Sequence, residues 1–328
     1  MTAKKEKPVA KAKSAGTTNK VSGSIVKCEV KLESGEWISP DSCQTFYIDE
    51  NAKFPEITYE IKTDEAGPYE WSWDIQWVVL ACPQKADKNR FKPKHAVTFK
   101  KTGKFTSNVK NWKADLGEIV GGELTIKVKV GTKTFIRKTL IRGKNPSQEK
   151  IHVEIDSYTE KGNVGLLKKI YKQESNNRQF YSDESPLVSF DNGYGMGQLT
   201  NPAPSYEQIW NWKAQTKQII EKRLPDCRKI AKKYLDQHPG YSDDMLDLET
   251  LVPYNGMAKK QRYHNWDATK KMWSANDDVI CDPDQSNKGW LTTEKDNENK
   301  TLSELQKDKT AKPFYTGRCY AEHIKNAQ

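Results

Sequence analysis

Two features of the chain have residue types and spacing that could do chemistry together. The first is Glu174, followed at once by Ser175, at the end of "NVGLLKKIYKQES". Val164, Leu167, Ile170, Tyr171 and Glu174 fall close to one face of a helix. A carboxyl on an apolar stripe is partly desolvated, which disfavours its charged form and raises its pKa. A general acid needs that property to hold a proton near neutral pH. The same spacing also fits an exposed helix end, because "SNNRQ" follows. The second feature is "NGYGMGQ", with Gly193, Gly195 and Gly197 at alternate positions before Gln198. Glycines let backbone approach a ligand closely, and such a segment could lend N–H and C=O groups to a polymer. It is not a phosphate loop, since no Lys-Ser/Thr follows and no strand-to-helix context surrounds it.

A Glu-Ser helix end followed by G-x-G-x-G-Q resembles the lysozyme-like family that includes goose-type lysozymes and soluble lytic transglycosylases. A third family element, tyrosine-asparagine-glycine, has its counterpart in "LVPYNGM", at Tyr254, Asn255 and Gly256. The resemblance covers roughly residues 155–275 and says nothing of the rest. It implies a substrate, the β-1,4 glycan of peptidoglycan, and an acid, Glu174, that protonates the glycosidic oxygen between N-acetylmuramic acid and N-acetylglucosamine. It also implies that Ser175, Gly195, Gln198, Thr200, Tyr254 and Asn255 position the sugar or the acid, with the Tyr254 hydroxyl as hydrogen-bond partner of Glu174. No cofactor or metal is implied.

Hydrolysis with inversion needs a second carboxylate to activate water, whereas a lytic transglycosylase needs only one acid/base. Goose-type lysozymes carry an aspartate where this chain has Thr200, and transglycosylases usually have an apolar residue there, so neither pattern is met. Asp191, just before the glycines, is the candidate second carboxylate of a muramidase. Its other reading is a turn or Asx cap.

The chain that must position these residues has 328 of them, and two domains are the natural expectation. Residues 1–21 read as a flexible basic arm. Over 22–148, "YEWSWDIQW" and "LTIKVKV" alternate with period two between Gly-rich turns, predicting an antiparallel, Ig-like β-sandwich. Its tryptophan stripe reads as core rather than as a sugar platform. "RGKNPSQEK" marks the boundary, and 149–328 is expected to form a mainly α-helical lysozyme-like domain, giving a multi-domain α+β protein. Within it, Ser205 with Gln208 resembles a capping box. Trp210 and Trp212 read as helix packing, and "YHNWDATKKMW" places Trp266, Lys270 and Trp273 near one helix face.

The five histidines are isolated, and the six cysteines show no C-x-x-C or zinc spacing. Buried thiols or a Cys281–Cys319 disulfide are the open readings. A net charge of +10 favours polyanionic partners, but no Arg/aromatic motif appears and no nucleic-acid partner is expected. No apolar run is long enough to span a bilayer, and the lysine-bearing N-terminus lacks the apolar stretch of a Sec signal. Synthesis in the cytoplasm and action in the periplasm or wall of a target bacterium then require non-Sec export. The β-domain and basic arm look similar to cargo or adaptor regions of type VI secretion antibacterial effectors. That implies a cognate immunity protein and a secretion spike or adaptor as partners. A lytic transglycosylase forming anhydro-muropeptides, a phage endolysin, a non-catalytic glycan-binding protein and a chitinase or chitosanase are the competing readings.

Overall fold

A computed structural model describes residues 32–81, 93–158, 164–256 and 261–327. The basic arm expected over 1–21, Cys28 and Cys82 lie outside the described residues.

The period-two segments form strands. β1 (Trp37–Ser39), β3 (Thr58–Ile61) and β6 (Asn111–Lys113) make a three-stranded sheet. β2 (Thr45–Ile48), β4 (Tyr69–Val79), β5 (Val97–Ser107), β7 (Gly122–Val130) and β8 (Lys133–Gly143) make a five-stranded sheet in the order β2-β8-β7-β4-β5. Alternate residues of β4, from Tyr69 through Trp71, Trp73, Ile75 and Trp77 to Val79, are buried. Trp71 stacks on Phe105 and Trp77 on Phe99, and Tyr59 of the smaller sheet stacks on Trp112. The tryptophan stripe is therefore the core between sheets, with no face free for sugar.

Two expectations are overturned. The large sheet is mixed rather than antiparallel, because β2 pairs with β8 in parallel. The second half is not a mainly α-helical lysozyme-like domain: thirteen strands in four sheets run through the described residues, five of those strands in this half, and the helices are short. Among the described residues no α-helix exceeds 12 residues. The helices are α1 (Gln148–Asp156), α2 (Val164–Ser175), α3 (Tyr206–Trp210), α4 (Trp212–Gln218), α5 (Leu224–Leu235), α6 (Asp243–Tyr254), α7 (Leu302–Lys307) and α8 (Gly317–Asn326). Between them stand β9 (His264–Asp267) paired with β10 (Met272–Ala275), and a sheet of β11 (Val279–Cys281), β12 (Lys288–Leu291) and β13 (Phe314–Tyr315).

The reason is local. Asp267 accepts bonds from the backbone N–H of Thr269 and Lys270, both at 2.9 Å, and Lys271 takes a positive φ. This Asx turn closes a hairpin. Trp266 and Trp273 then face each other across it as a strand pair, not as helix neighbours. The helical stretch read around Trp210 and Trp212 also breaks, into α3 and α4. Asn211 leaves helical geometry and its side chain caps α4, accepting from Lys213 and Ala214 N–H. The capping box at Ser205 and Gln208 does form, and starts α3.

The two halves share one core. Phe180, Val188, Tyr194, Ile209 and Trp210 pack into the cluster built by the strands. A second cluster gathers Leu167, Ile170 and Tyr171 of α2, Ile219, Leu251 and Val252 of α6, and Tyr320 and Ile324 of α8. It is this cluster that brings the candidate residues together.

Candidate active site

Glu174 is the penultimate residue of α2, whose inward face is Leu166, Leu167, Ile170 and Tyr171. The helix stops there because Asn176 and Asn177 both adopt positive φ, the left-handed conformation asparagine tolerates best after glycine. The Asn177 N–H reaches back to the Tyr171 carbonyl at 3.1 Å, a Schellman-type closure. Ser175 finishes the turn: its hydroxyl donates to the Tyr171 carbonyl and accepts from the Arg178 N–H, both at 3.2 Å. Its hydrogen-bonding capacity is spent on the helix end, not offered to a substrate.

The Glu174 carboxyl is crowded by protein, yet the residue keeps partial solvent contact. Burial pushes its pKa up to about 7. The Tyr320 hydroxyl donates to its Oε1 at 2.6 Å and works in the opposite direction, while the charge of Asp191 adds to the rise. Three tyrosines surround the carboxyl, Tyr320 of α8, Tyr254 at the end of α6 and Tyr315 of β13. Burial, first, and Glu174, second, hold all three phenols well above their usual range. The site is thus a group of neutral phenols around one carboxyl that is still about half protonated at neutrality.

Tyr254 does not play the expected part. Its hydroxyl donates to the Gly197 carbonyl at 2.9 Å, and Tyr320 bonds the acid instead. The cause is the placement of α6. Arg223 donates to the Pro253 and Tyr254 carbonyls at 3.1 and 2.8 Å, capping the C-terminal end of α6. Arg223 is aimed there by a π-helical turn, Ile219–Arg223, in which the Leu224 N–H reaches the Ile219 carbonyl. That widened turn accommodates Pro225, which lacks an N–H to continue the regular ladder.

The glycine segment is held from inside. Gln179 and Gln215 are both 0% exposed. The Gln179 Oε1 accepts from Met196 N–H at 2.9 Å and the Gln215 Oε1 accepts from Gly197 N–H at 3.0 Å. Their amide groups donate to the Ile209 carbonyl at 2.7 Å and the Tyr194 carbonyl at 3.0 Å. Gly195 donates to the Leu187 carbonyl and its own carbonyl accepts from the Gln198 side chain. Most of the backbone groups that could have gripped a polymer are therefore engaged by the scaffold. At Gly195 φ is +67°, and a Cβ would lie 2.5 Å from the side-chain nitrogens of Gln179 and Gln215. At Gly197 a Cβ would meet Ile219 Cδ1 at 2.2 Å. These glycines serve close packing of the loop against the buried amides and the π-turn.

Gly195→Ala is accordingly expected to lower stability by about 2–3 kcal/mol, combining a left-handed non-glycine residue with displacement of buried amides. A urea unfolding curve with an unchanged midpoint would show that the loop yields freely.

The remaining candidates are placed as follows. Asp191 is exposed and accepts a bond from the Ser189 hydroxyl, while its charge reaches Glu174 and Tyr315. Gln198 has φ +48° and donates inward to Gly195. Thr200 is exposed. Asn255 caps α6, and the Tyr315 hydroxyl bonds to both its carbonyl and its Oδ1, the latter at 2.7 Å. Sequence reasoning missed Tyr320, Tyr315, Gln179, Gln215 and Arg223. The one available signal was Cys319, whose disulfide to Cys281, with a Cα–Cα distance of 5.2 Å, fixes the start of α8 beside Tyr320. Cys43 is disulfide-bonded as well, and Cys227 is a free, buried thiol.

Among the described residues no group of three or more His, Cys, Asp or Glu side chains is placed to hold a metal ion, and no helix is long and apolar enough to cross a membrane. No protein-family model, no curated protein and no solved structure matches the chain.

Proposed function

We propose that the protein is a glycosidase that cleaves the β-1,4 glycan of peptidoglycan, with Glu174 as general acid. The observation that carries this reading is the Glu174 carboxyl itself, desolvated to a pKa of about 7, hydrogen-bonded by Tyr320, and still touched by solvent. Such a group gives its proton to a glycosidic oxygen as the bond to the anomeric carbon breaks, and so stabilises the departing alcohol. The motif resemblance through Glu174-Ser175, Gly193 to Gln198 and Tyr254 to Gly256 supports the substrate class. Asp191, exposed and charged within electrostatic reach of Glu174, is the candidate base that takes a proton from the attacking water. The reading is of a muramidase in function; it takes nothing from a lysozyme fold. Action on the wall of a target bacterium, with an immunity protein blocking the site, belongs to the same proposal.

The test is incubation of purified peptidoglycan with the chain, followed by mass spectrometry of the soluble fragments. Muropeptides with reducing ends are expected. Anhydro-muropeptides would replace hydrolysis with internal attack by the muramic 6-hydroxyl and remove Asp191 from the mechanism. Intact glycan after long incubation would sink the reading.

A further inference from the structure

The geometry assigns Tyr320 as a positioning residue: it occupies Oε1 of Glu174 as a hydrogen-bond donor, so the transferable proton is held on Oε2, the oxygen left facing the substrate. This deepens the proposed function and rests on it for the catalytic consequence.

The argument starts from the inventory of donors. The Tyr320 phenol sits 2.6 Å from Oε1 and is directed at it. Among the described residues it makes no other side-chain hydrogen bond. A phenol that is protonated carries one hydrogen, and here that hydrogen has one destination. Oε1 must then be an acceptor, in the neutral acid as in the carboxylate. The proton of the neutral acid is left to Oε2. That oxygen has no hydrogen-bond partner among the described residues, and it is not among the sealed polar atoms that lack one.

The other groups facing Glu174 do not compete for Oε2. They are Tyr254 of α6, Tyr315 of β13 and Asp191 of the glycine loop. Tyr254 donates to Gly197 and Tyr315 to Asn255. Asp191 accepts from Ser189.

Tyr320 is also held rigidly enough to do this. It is 2% exposed, packed with Ala321 and Ile324 in the second core. The residue before it is tied by disulfide to β11. The C-terminal unit, outside the segment that carries the motif resemblance, therefore completes the acid.

The experiment is Tyr320→Phe in the full chain, which keeps the ring and removes only the hydroxyl. The first readout is the titration of Glu174 by NMR of carbon-13-labelled glutamate side chains, assigned with Glu174→Gln. The hydroxyl favours the carboxylate, so its loss is expected to move the midpoint upward by about one pH unit. The second readout is the pH profile of glycan cleavage. Its alkaline limb is expected to shift up with the midpoint, with kcat lowered about 10–100-fold and KM within about threefold. A midpoint that stays put or falls overturns the assignment. If the parent chain cleaves no glycan, the functional reading fails while the titration still decides Tyr320. Should Tyr320→Phe not fold, 3-fluorotyrosine installed at 320 serves instead. It is a stronger donor of unchanged shape, and the Glu174 midpoint is expected to fall; a rise would overturn the assignment.

Discussion

Glu174→Gln is expected to slow glycan cleavage by about 10²–10⁴-fold, the usual range for removing a general acid, and to make the protein more stable above neutral pH. The second effect follows by linkage from the raised pKa of the acid. The Glu174 carboxyl has an ordinary pKa of 4.5 in the unfolded chain and about 7 in the folded one. The folded state therefore holds a proton that the unfolded state has released between those two values. Where the native state binds more protons, stability falls as pH rises. The loss begins near pH 4.5 and is complete just above pH 7, where folding must bury a charge. Given about 1.4 kcal/mol per pH unit, the full effect is about 3 kcal/mol. Glutamine keeps an oxygen for Tyr320 and has no charge to bury. Thermal melts of the two proteins should thus coincide near pH 4 and separate by pH 8, with the variant higher. A variant that is inactive yet equally or less stable at pH 8 would mean that Glu174 is not held as a desolvated acid. The combination is the signature of a group kept for function against the interest of folding.

How much of this was legible in the sequence depends on the range of the interaction. Glu174 could be placed on the inward stripe because Leu167, Ile170 and Tyr171 lie within two turns of it, and helical period is a local property. The Ser205–Gln208 capping box was legible for the same reason. Alternation in β4 foretold the burial of Trp71, Trp73 and Trp77. Trp266, Lys270 and Trp273 misled because a spacing of four and three residues suits a helix face, while the deciding event was an Asx turn at Asp267. The parallel β2–β8 pair joins residues nearly a hundred positions apart, and no local pattern encodes it. Tyr320 lies 146 residues from Glu174. Its phenol has no motif, and only folding of the second core reveals that it, rather than Tyr254, faces the acid. The glycines were legible as a segment of close approach, but what approaches them from within the fold was not. Their neighbours Gln179 and Gln215, polar residues that a sequence assigns to the surface, are buried because each satisfies the loop backbone from within.

Trp210→Ala is expected to destabilise the whole described chain by about 3–5 kcal/mol, the range for truncating a buried tryptophan to alanine, and to abolish the site along with the strands' packing. Trp210 is 1% exposed and stands where the two halves meet. It meets Trp77 of β4 edge-on at 5.7 Å and Phe180 of the loop at 5.8 Å. Gly121 leaves room for its ring, since a Cβ there would lie 2.3 Å from Trp210. Gly143 does the same for Phe180, at 2.1 Å. The residue before it, Ile209, provides the carbonyl that fixes Gln179, and Gln179 fixes the glycine segment. If the strands were an independent cargo module, calorimetry would show two transitions, and Trp210→Ala would lower only one of them. A shared core instead implies a single cooperative transition, with calorimetric and van't Hoff enthalpies in agreement, that moves as a unit. Trp210→Phe sharpens the test. The indole N–H of Trp210 is buried with no partner among the described residues, which itself costs about 1–3 kcal/mol. Phenylalanine removes that burden while giving up part of the ring contact, so it should retain most of the stability that alanine loses. A phenylalanine variant as unstable as the alanine one would place the energy in the full bicyclic fit against Gly121 rather than in apolar burial. Either way the β-region acts as the bed on which the acid's loop is set, and the large sheet is then part of the site's mechanics rather than an appendage.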